Sequence, residues 1–298
     1  MSTTISQRPD VQAFLRIASN LDREDGNPRL KQVVHRLLSD VFRMVEDLDL
    51  TPDEVWAGVN YLNDLGSRSE AALLAAGLGL EHLLDLRLDE QDRQLGIPAG
   101  TPRTIEGPLY VAGAPVSERT ARMDSDPDTG DTLFLRGVIR GPDGNPVDGA
   151  LIEAWHANSK GFYSHFDPTN TQSPFNLRRA VHVGADGRYE FQTLVPVGYG
   201  CPPDGPTLAL LQRMGRHGNR PAHIHLFVTA PGMRKLTTQI NIADDPLVND
   251  DFAFATREGL IPPMKRTDGH VEIDFDITLT PLVDGEDNQV VDRRRLVA

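Results

Sequence analysis

The chain has 298 residues and carries 30 Lys plus Arg against 43 Asp plus Glu, a net charge of −13, which disfavours a nucleic-acid backbone or an anionic membrane surface as its main partner. At 39% hydrophobic composition it can bury a sizeable core, and its length allows two domains or one large one. The single cysteine, Cys201, excludes an intrachain disulfide and zinc sites that need several thiolates, and it fits a reducing, cytoplasmic setting.

Met1 to Asp10 has no basic region followed by an apolar stretch, so no secretory signal is expected. The first hundred residues read as helical. Asn27 followed by Pro28 is a good cap and first-turn pair, and Leu30, Val33, Val34, Leu37, Leu38, Val41, Val45 and Leu48 continue an i, i+3, i+4, i+7 stripe, which predicts one long amphipathic helix. Thr51-Pro52-Asp53-Glu54 predicts a second helix opened by a capping box, and Ser67 with Glu70 repeats the pattern. The helix expected after Ser67 carries Leu73, Leu74, Leu78, Leu80, Leu83 and Leu84, apolar on more than one face, so it needs a second packing surface. The surplus of apolar helical surface predicts a homodimer through this region. The most apolar internal segment, Ala71 to Leu80, is far short of the roughly 20 residues that span a bilayer, so no transmembrane segment is expected.

From Thr132 onward the period changes. Leu133 to Ile139, Leu151 to Trp155, Arg188 to Gln192, His223 to Thr229, Leu236 to Ile242 and Val271 to Leu279 are short, rich in β-branched and aromatic residues, and punctuated by Asp143-Gly144 and Asp186-Gly187. They predict an all-β sandwich or barrel. Thr193 to Asn219 is rich in Gly and Pro and reads as a long ordered loop. The fold class is therefore α+β, with a helical domain over residues 1–103 and a β-sandwich domain over residues 104–298.

The sharpest chemical signal is His223-Ile224-His225. Residues i and i+2 of a strand project from one face, so the two imidazoles can reach one metal ion, although two histidines on a wet strand face satisfy the same spacing. A cupin would place a carboxylate a few residues later, yet Leu226 to Pro231 contain none; the same gap weakens a two-histidine, one-carboxylate ferrous site. With carboxylate and thiolate disfavoured, the remaining anionic ligand is a tyrosinate, which a trivalent metal can hold deprotonated despite a phenol pKa near 10. Tyr163, after Trp155-His156-Ala157-Asn158, and Tyr199, in the Gly/Pro segment, are the candidates, and both also suit ordinary half-buried tyrosines.

Several stretches resemble the intradiol ring-cleaving dioxygenases that use non-haem ferric iron, and among them the catechol-cleaving members. They are Thr104-Ile105-Glu106-Gly107-Pro108-Leu109-Tyr110, Trp155 to Asn158 running to Gly161-Phe162-Tyr163, Pro196-Val197-Gly198-Tyr199-Gly200-Cys201-Pro202, Gly215 to His225, and Leu236-Thr237-Thr238-Gln239. The resemblance covers roughly residues 10 to 280.

That resemblance implies a helical dimerisation or linker domain followed by a β-sandwich catalytic domain with one Fe(3+) per chain. Tyr163, Tyr199, His223 and His225 would be the ligands, Tyr199 and His223 axial, Tyr163 and His225 equatorial, with a solvent hydroxide in the fifth place. Three positive charges against two phenolates and one hydroxide leave a neutral centre. Catechol would replace the hydroxide and Tyr199, O2 would attack the substrate rather than a ferrous centre, and the product would be cis,cis-muconate, in aromatic hydrocarbon catabolism by the β-ketoadipate pathway. Arg220, three residues before His223, would lay its charge over the electron-rich ring, although pairing with a loop acid is the plainer use of such an arginine. Gln239 would be a pocket group or a simple strand residue. The apolar wall would comprise Leu73, Ile105, Pro108, Leu109, Phe252 and Ala253, and Leu109 is aliphatic where relatives that prefer hydroxyquinol or chlorocatechols often carry an aromatic. Family members form homodimers, some with a phospholipid at the interface. Cys201 reads as a small buried residue, and His156 and His217 as hydrogen-bonding groups rather than ligands. Two rivals stand beside this reading: a cupin-type metalloenzyme, and a non-catalytic sandwich module with structural histidines.

Overall fold

The computed structural model describes residues 4–283 and the backbone of residues 296–297. Backbone contacts divide the chain into two compact units, Met1–Arg68 and Ser69–Ala298. The first holds α1 (Pro9–Ala18), α2 (Pro28–Asp47) and α3 (Pro52–Ser67). All three begin on proline, whose fixed φ suits a first helical turn and whose missing N–H is not needed there. The Asn27 side chain accepts from the Leu30 amide at 3.0 Å, and Thr51 and Glu54 form both bonds of the predicted capping box. The α2 stripe forms as a line but stays in the open: Leu30, Val33, Leu37, Val41 and Leu48 are exposed, joined by Met44.

In the second unit the two-faced helix is instead two helices, α4 (Ala71–Gly77) and α5 (Leu80–Gln94), separated by Gly79 at φ +77°, a left-handed conformation that glycine adopts without a Cβ penalty. The capping box predicted at Ser67 does not form. Ser67 Oγ donates to the Asp64 carbonyl at 2.9 Å, and Glu70 instead accepts the Thr207 amide at 3.0 Å, at the start of a helix 137 residues away. No residue of α5 is buried. It is tied down by charge: Asp89 receives Arg103 at 2.9 Å and Arg257 at 2.6 Å, while Asp92 receives Arg234 at 2.6 Å and also Arg103.

Strands follow in order: β1 (Val111–Ala112), β2 (Val116–Glu118), β3 (Thr120–Arg122), β4 (Thr132–Arg140), β5 (Leu151–His156), β6 (Arg178–His182), β7 (Arg188–Leu194) and β8 (Tyr199–Gly200). After α6 (Pro206–Arg213) come β9 (Asn219–Arg220), β10 (His223–Thr229), β11 (Leu236–Asn241), β12 (Met264–Thr267), β13 (His270–Asp274), β14 (Ile277–Thr278) and β15 (Leu296–Val297). Two expectations are corrected here. The Gly/Pro segment Thr193 to Asn219 is not a continuous loop, because Pro206 opens α6; and Val271 to Leu279 is two strands, broken where Asp276 accepts the Val138 amide at 2.8 Å.

One sheet runs β11-β10-β5-β6-β2 and the other β12-β13-β4-β7-β3, with β14 also on β4. Leu133 and Leu135 of β4, Phe191 of β7, Ile152 and Ala154 of β5, and Ile224, Leu226 and Val228 of β10 are buried in one cluster, so the sheets face each other across a common core. Strand alternation then decides where the chemistry sits. With Ile224, Leu226 and Val228 pointing into the sandwich, His223, His225 and Phe227 leave the opposite face of the same sheet.

Candidate metal centre

On that outer face, His223 Nδ1 lies 2.7 Å from the Pro221 carbonyl, which assigns the ring proton to Nδ1 and leaves the Nε2 lone pair for a ligand. His223 Nε2 stands 3.0 Å from His225 Nε2 and 3.4 Å from the Tyr163 hydroxyl. Two ligands about 2.1 Å from one metal and at right angles to each other lie about 3.0 Å apart, so the two imidazole nitrogens have the spacing of neighbouring ligands. Tyr199 completes the group: its ring packs edge-on to Tyr163 with centroids 5.4 Å apart and lies 5.5 Å from the His223 ring. Among the described residues no three of His, Cys, Asp and Glu come together as a metal site, so a metal here depends on the phenols.

The electrostatics fit that role. Burial, then the charge of Arg220, pushes His223 down to about 3, and burial with its histidine and arginine neighbours takes His225 well below the usual range, so both rings are neutral donors at pH 7. Burial, reinforced by the neighbouring Tyr199, raises Tyr163 well above an ordinary phenol. A metal of high charge is the agent that can ionise such a phenol at neutral pH. Two neutral imidazoles with two phenols that can become phenolates suit a hard trivalent ion such as iron(III).

Tyr199 and Arg220 reach the site together because β8 and β9 form a two-stranded ribbon in which they are paired. The ribbon demands glycine at 198: a Cβ there would lie 2.4 Å from the Arg220 carbonyl oxygen. Arg220 is 4% exposed and every arm of its guanidinium is used. Nε and Nη2 donate to Asp251 at 3.2 and 2.9 Å, Nη2 also donates to Gln239 Oε1 at 2.8 Å, and Nη1 lies 3.0 Å from His223 Nε2. Pairing with a loop acid and a place beside the site thus hold together. Burial opposes charge on Asp251, but Arg220 outweighs it and keeps the carboxyl below its ordinary value. Gln239 stands opposite His225 across the β10/β11 ladder and passes its own amide to Asn241 at 3.0 Å.

Of the expected wall, Leu73, Ile105, Phe252 and Ala253 meet in one apolar cluster with Ala76, Cys201 and Leu211, and Leu109 joins Trp155, Tyr163 and Phe227 in another. Pro108 is exposed. Burial and then Glu70 push the Cys201 thiol up to about 12, leaving it inert. His156 bonds Ala157 O and Thr193 Oγ1, both at 2.7 Å, and His217 bonds Asp250 at 3.1 Å. A cavity of about 300 Å³ lined by Asp85, Arg103, Ile105 and Leu236 includes none of the four candidate ligands.

Three residues of the surroundings were missed in the sequence. Asp251 sits beside the expected Phe252, and its carboxylate both pairs Arg220 and accepts the Ala253 amide at 3.0 Å. Arg216 donates to the carbonyls of Gly77 at 2.6 Å and Phe252 at 3.0 Å, joining α4 to the late loop. Trp155 stacks on His225 with centroids 4.9 Å apart and planes 9° from parallel.

Helices leading into a two-sheet sandwich, with two imidazoles and two phenols gathered on its outer face, are matched by two family profiles. Residues 27–96 match the catechol dioxygenase N terminus, and residues 105–281 match the dioxygenase family. The chain belongs to this family, the intradiol ring-cleaving dioxygenases. Relatives of high identity are catechol 1,2-dioxygenases: one from Acinetobacter lwoffii is 60% identical over 99% of this chain and 98% of its own length, and one from Acinetobacter baylyi is 57% identical over 99% of each. A solved Acinetobacter catechol 1,2-dioxygenase inhibited by bound mercury superposes with a TM-score of 0.93 at 57% identity, covering 99% of this chain and 100% of that one.

Proposed function

We propose that this protein is a catechol 1,2-dioxygenase that holds one iron(III) per chain on Tyr163, Tyr199, His223 and His225 and cleaves catechol with O2 between the hydroxylated carbons to cis,cis-muconate. The observation that carries the reading is the approach of the two imidazole nitrogens and the Tyr163 hydroxyl to one buried point, at 3.0 and 3.4 Å. Iron(III), when bound, supplies a Lewis acid for the two catechol oxygens and an acceptor for their electron density. Tyr163 and His225 are buried and would hold the ion, whereas Tyr199, half-buried on a two-residue strand, would be the group free to take a substrate proton on its Oη. Arg220 presents a fixed charge to the electron-rich ring, held in orientation by Asp251 and Gln239. Leu73, Ile105, Phe252 and Ala253 keep water from the ring, with Pro108 and Leu109 at the margin. The reaction serves aromatic catabolism by the β-ketoadipate pathway in the cytoplasm. Anaerobic addition of catechol to iron-loaded protein tests this: the tyrosinate-to-iron band in the blue-green should move to longer wavelength, and a colourless, iron-loaded, active protein would sink the assignment.

The Arg220 assignment has its own check. Asp251→Asn removes the anion facing a buried guanidinium, and breaking such a pair costs about 3–5 kcal/mol of stability. With the guanidinium released from its orientation, kcat should fall at least about tenfold while iron content stays near one per chain, read by steady-state kinetics beside an iron assay.

The protein is further proposed to be a homodimer through its helical segments, with a phospholipid as a candidate ligand of the interface. The exposed α2 line supports this, as do Leu80, Leu83, Leu84 and Leu88 of α5, since apolar surface of this extent is rarely left to water. Light scattering at micromolar concentration should return twice the chain mass, and lipid extraction with mass spectrometry tests the ligand.

A further inference from the structure

The ladder position that carries His225 continues across the sheet. His225 is paired with Trp155 on β5, and Trp155 with Arg178 on β6. Directly opposed residues on antiparallel strands share a face, so all three side chains leave the sheet on the side of the candidate metal centre. Arg178 is 1% exposed. Its Nε and Nη2 donate to Ser164 Oγ and O at 2.9 and 3.0 Å, and its Nη1 finds no partner. Its guanidinium carbon lies 5.6 Å from the Tyr163 ring centre and 5.9 Å from that of Phe166. Among the described residues no carboxylate forms an ion pair with it. A guanidinium withdrawn from water without an anion is strongly destabilising, so this arrangement needs a negative charge close by. Tyr110, the other phenol near it, donates its hydroxyl hydrogen to Glu153 at 2.8 Å. Tyr163 lies beside the guanidinium as well, and as a ligand to a trivalent metal it would carry that charge.

We propose that Arg178 is a positioning residue for the metal centre: a fixed cation beside Tyr163 that balances the phenolate of the loaded site and, through Ser164, holds the loop that presents it. This rests on the iron-site reading above. Arg178 touches neither substrate nor metal and acts only through Tyr163. Two effects follow from charge rather than shape. The cation favours the anionic ligand and hence metal retention, and it lowers the energy of the phenolate electrons, holding the charge-transfer band at shorter wavelength.

The test compares wild-type, Arg178→Met and Arg178→Lys proteins with and without iron, by chelator competition, visible spectrum and thermal unfolding. Arg178→Met should release iron about 10- to 100-fold more readily and show its band at longer wavelength. Metal-free Arg178→Met should be at least as thermostable as the metal-free wild type, because an unpaired buried charge has been removed, while gaining less from iron. Arg178→Lys should restore most of the iron retention and band position. Wild-type retention and spectrum in Arg178→Met would overturn the proposal, as would equal loss in both variants accompanied by equal destabilisation of their metal-free forms, the signature of a loop anchor alone. If the wild type itself takes up no iron and shows no band, the metal-site reading has failed instead.

Discussion

Replacing Tyr163, His223 or His225 by alanine is expected to strip most of the iron from the protein and abolish turnover, whereas Tyr199→Phe should keep much of the metal and lose turnover. The three sites share a cause. Each side chain is almost fully buried against the outer face of the sheet, Tyr163 at 2%, His223 at 2% and His225 at 1% exposure, so removing one deletes a donor from a packed, water-poor site. Losing a direct ligand should cost more than the roughly 10- to 100-fold in affinity typical of losing a group that only supports one. Tyr199 differs in its setting. It is half-buried and carried by a two-residue ribbon held to β9, and three ligands remain without its hydroxyl. Its loss should therefore fall on the uptake of a substrate proton, the role proposed for its hydroxyl. Iron per chain by metal analysis, the band in the blue-green and kcat, measured on the same preparations, check both halves. Retained activity in His225→Ala would count strongly against the site.

These candidate ligands were legible in the sequence to unequal degrees. His223 and His225 could be placed because strand alternation is local: Ile224, Leu226 and Val228 must enter the core, and the histidines must then leave the other face together. The tyrosines carried no such pattern; Tyr163 sits in the stretch after β5 and Tyr199 on a ribbon of two residues, so they entered by elimination of carboxylate and thiolate ligands, and the resemblance to known dioxygenases then strengthened them. Asp251 was invisible because its partner lies 31 residues away and nothing in Asp250-Asp251-Phe252 distinguishes a buried carboxylate from a solvated one. Local signals failed where a distant group competed. Ser67 and Glu70 have capping-box spacing, but Glu70 is taken by the Thr207 amide. Pro206 lies in a segment whose glycines and prolines read as loop, yet proline at a first helical position starts a helix as readily as it ends one. The leucines of α5 suggested a helix packed on two sides; its attachment rests on Asp89 and Asp92, whose arginine partners include Arg234 and Arg257 from far along the chain.

The preference for catechol over protocatechuate is expected to be large, because the apolar wall proposed for the ring carries no partner for a carboxylate. Leu73, Ile105, Phe252 and Ala253 are apolar, and the last three are buried. Among the cations near them, Arg220 and Arg216 are both engaged. Arg220 spends its donors on Asp251 and Gln239 and faces His223 with the third arm, while Arg216 is held by the carbonyls of Gly77 and Phe252 and stacks over Phe254 at 4.8 Å. Diverting Arg220 to a substrate carboxylate would strand Asp251, itself buried, so the gain at the ligand would be cancelled in the protein. A carboxylate entering such a wall unpaired costs several kcal/mol, and about 4 kcal/mol corresponds to roughly a thousandfold in kcat/KM. Apolar substituents meet no such barrier. A methyl group changes a hydrophobic pocket's discrimination by only about 1–3 kcal/mol, so 4-methylcatechol should remain a substrate, while hydroxyquinol asks the wall to accept a hydroxyl. Specificity constants for catechol, 4-methylcatechol, hydroxyquinol and protocatechuate, with identification of the ring-opened products, make the comparison. If protocatechuate matched catechol, the wall would have to be redrawn around a cation other than Arg220 and Arg216; if the product were a yellow semialdehyde, the ring would have opened outside the diol and the proposed chemistry would fall with it.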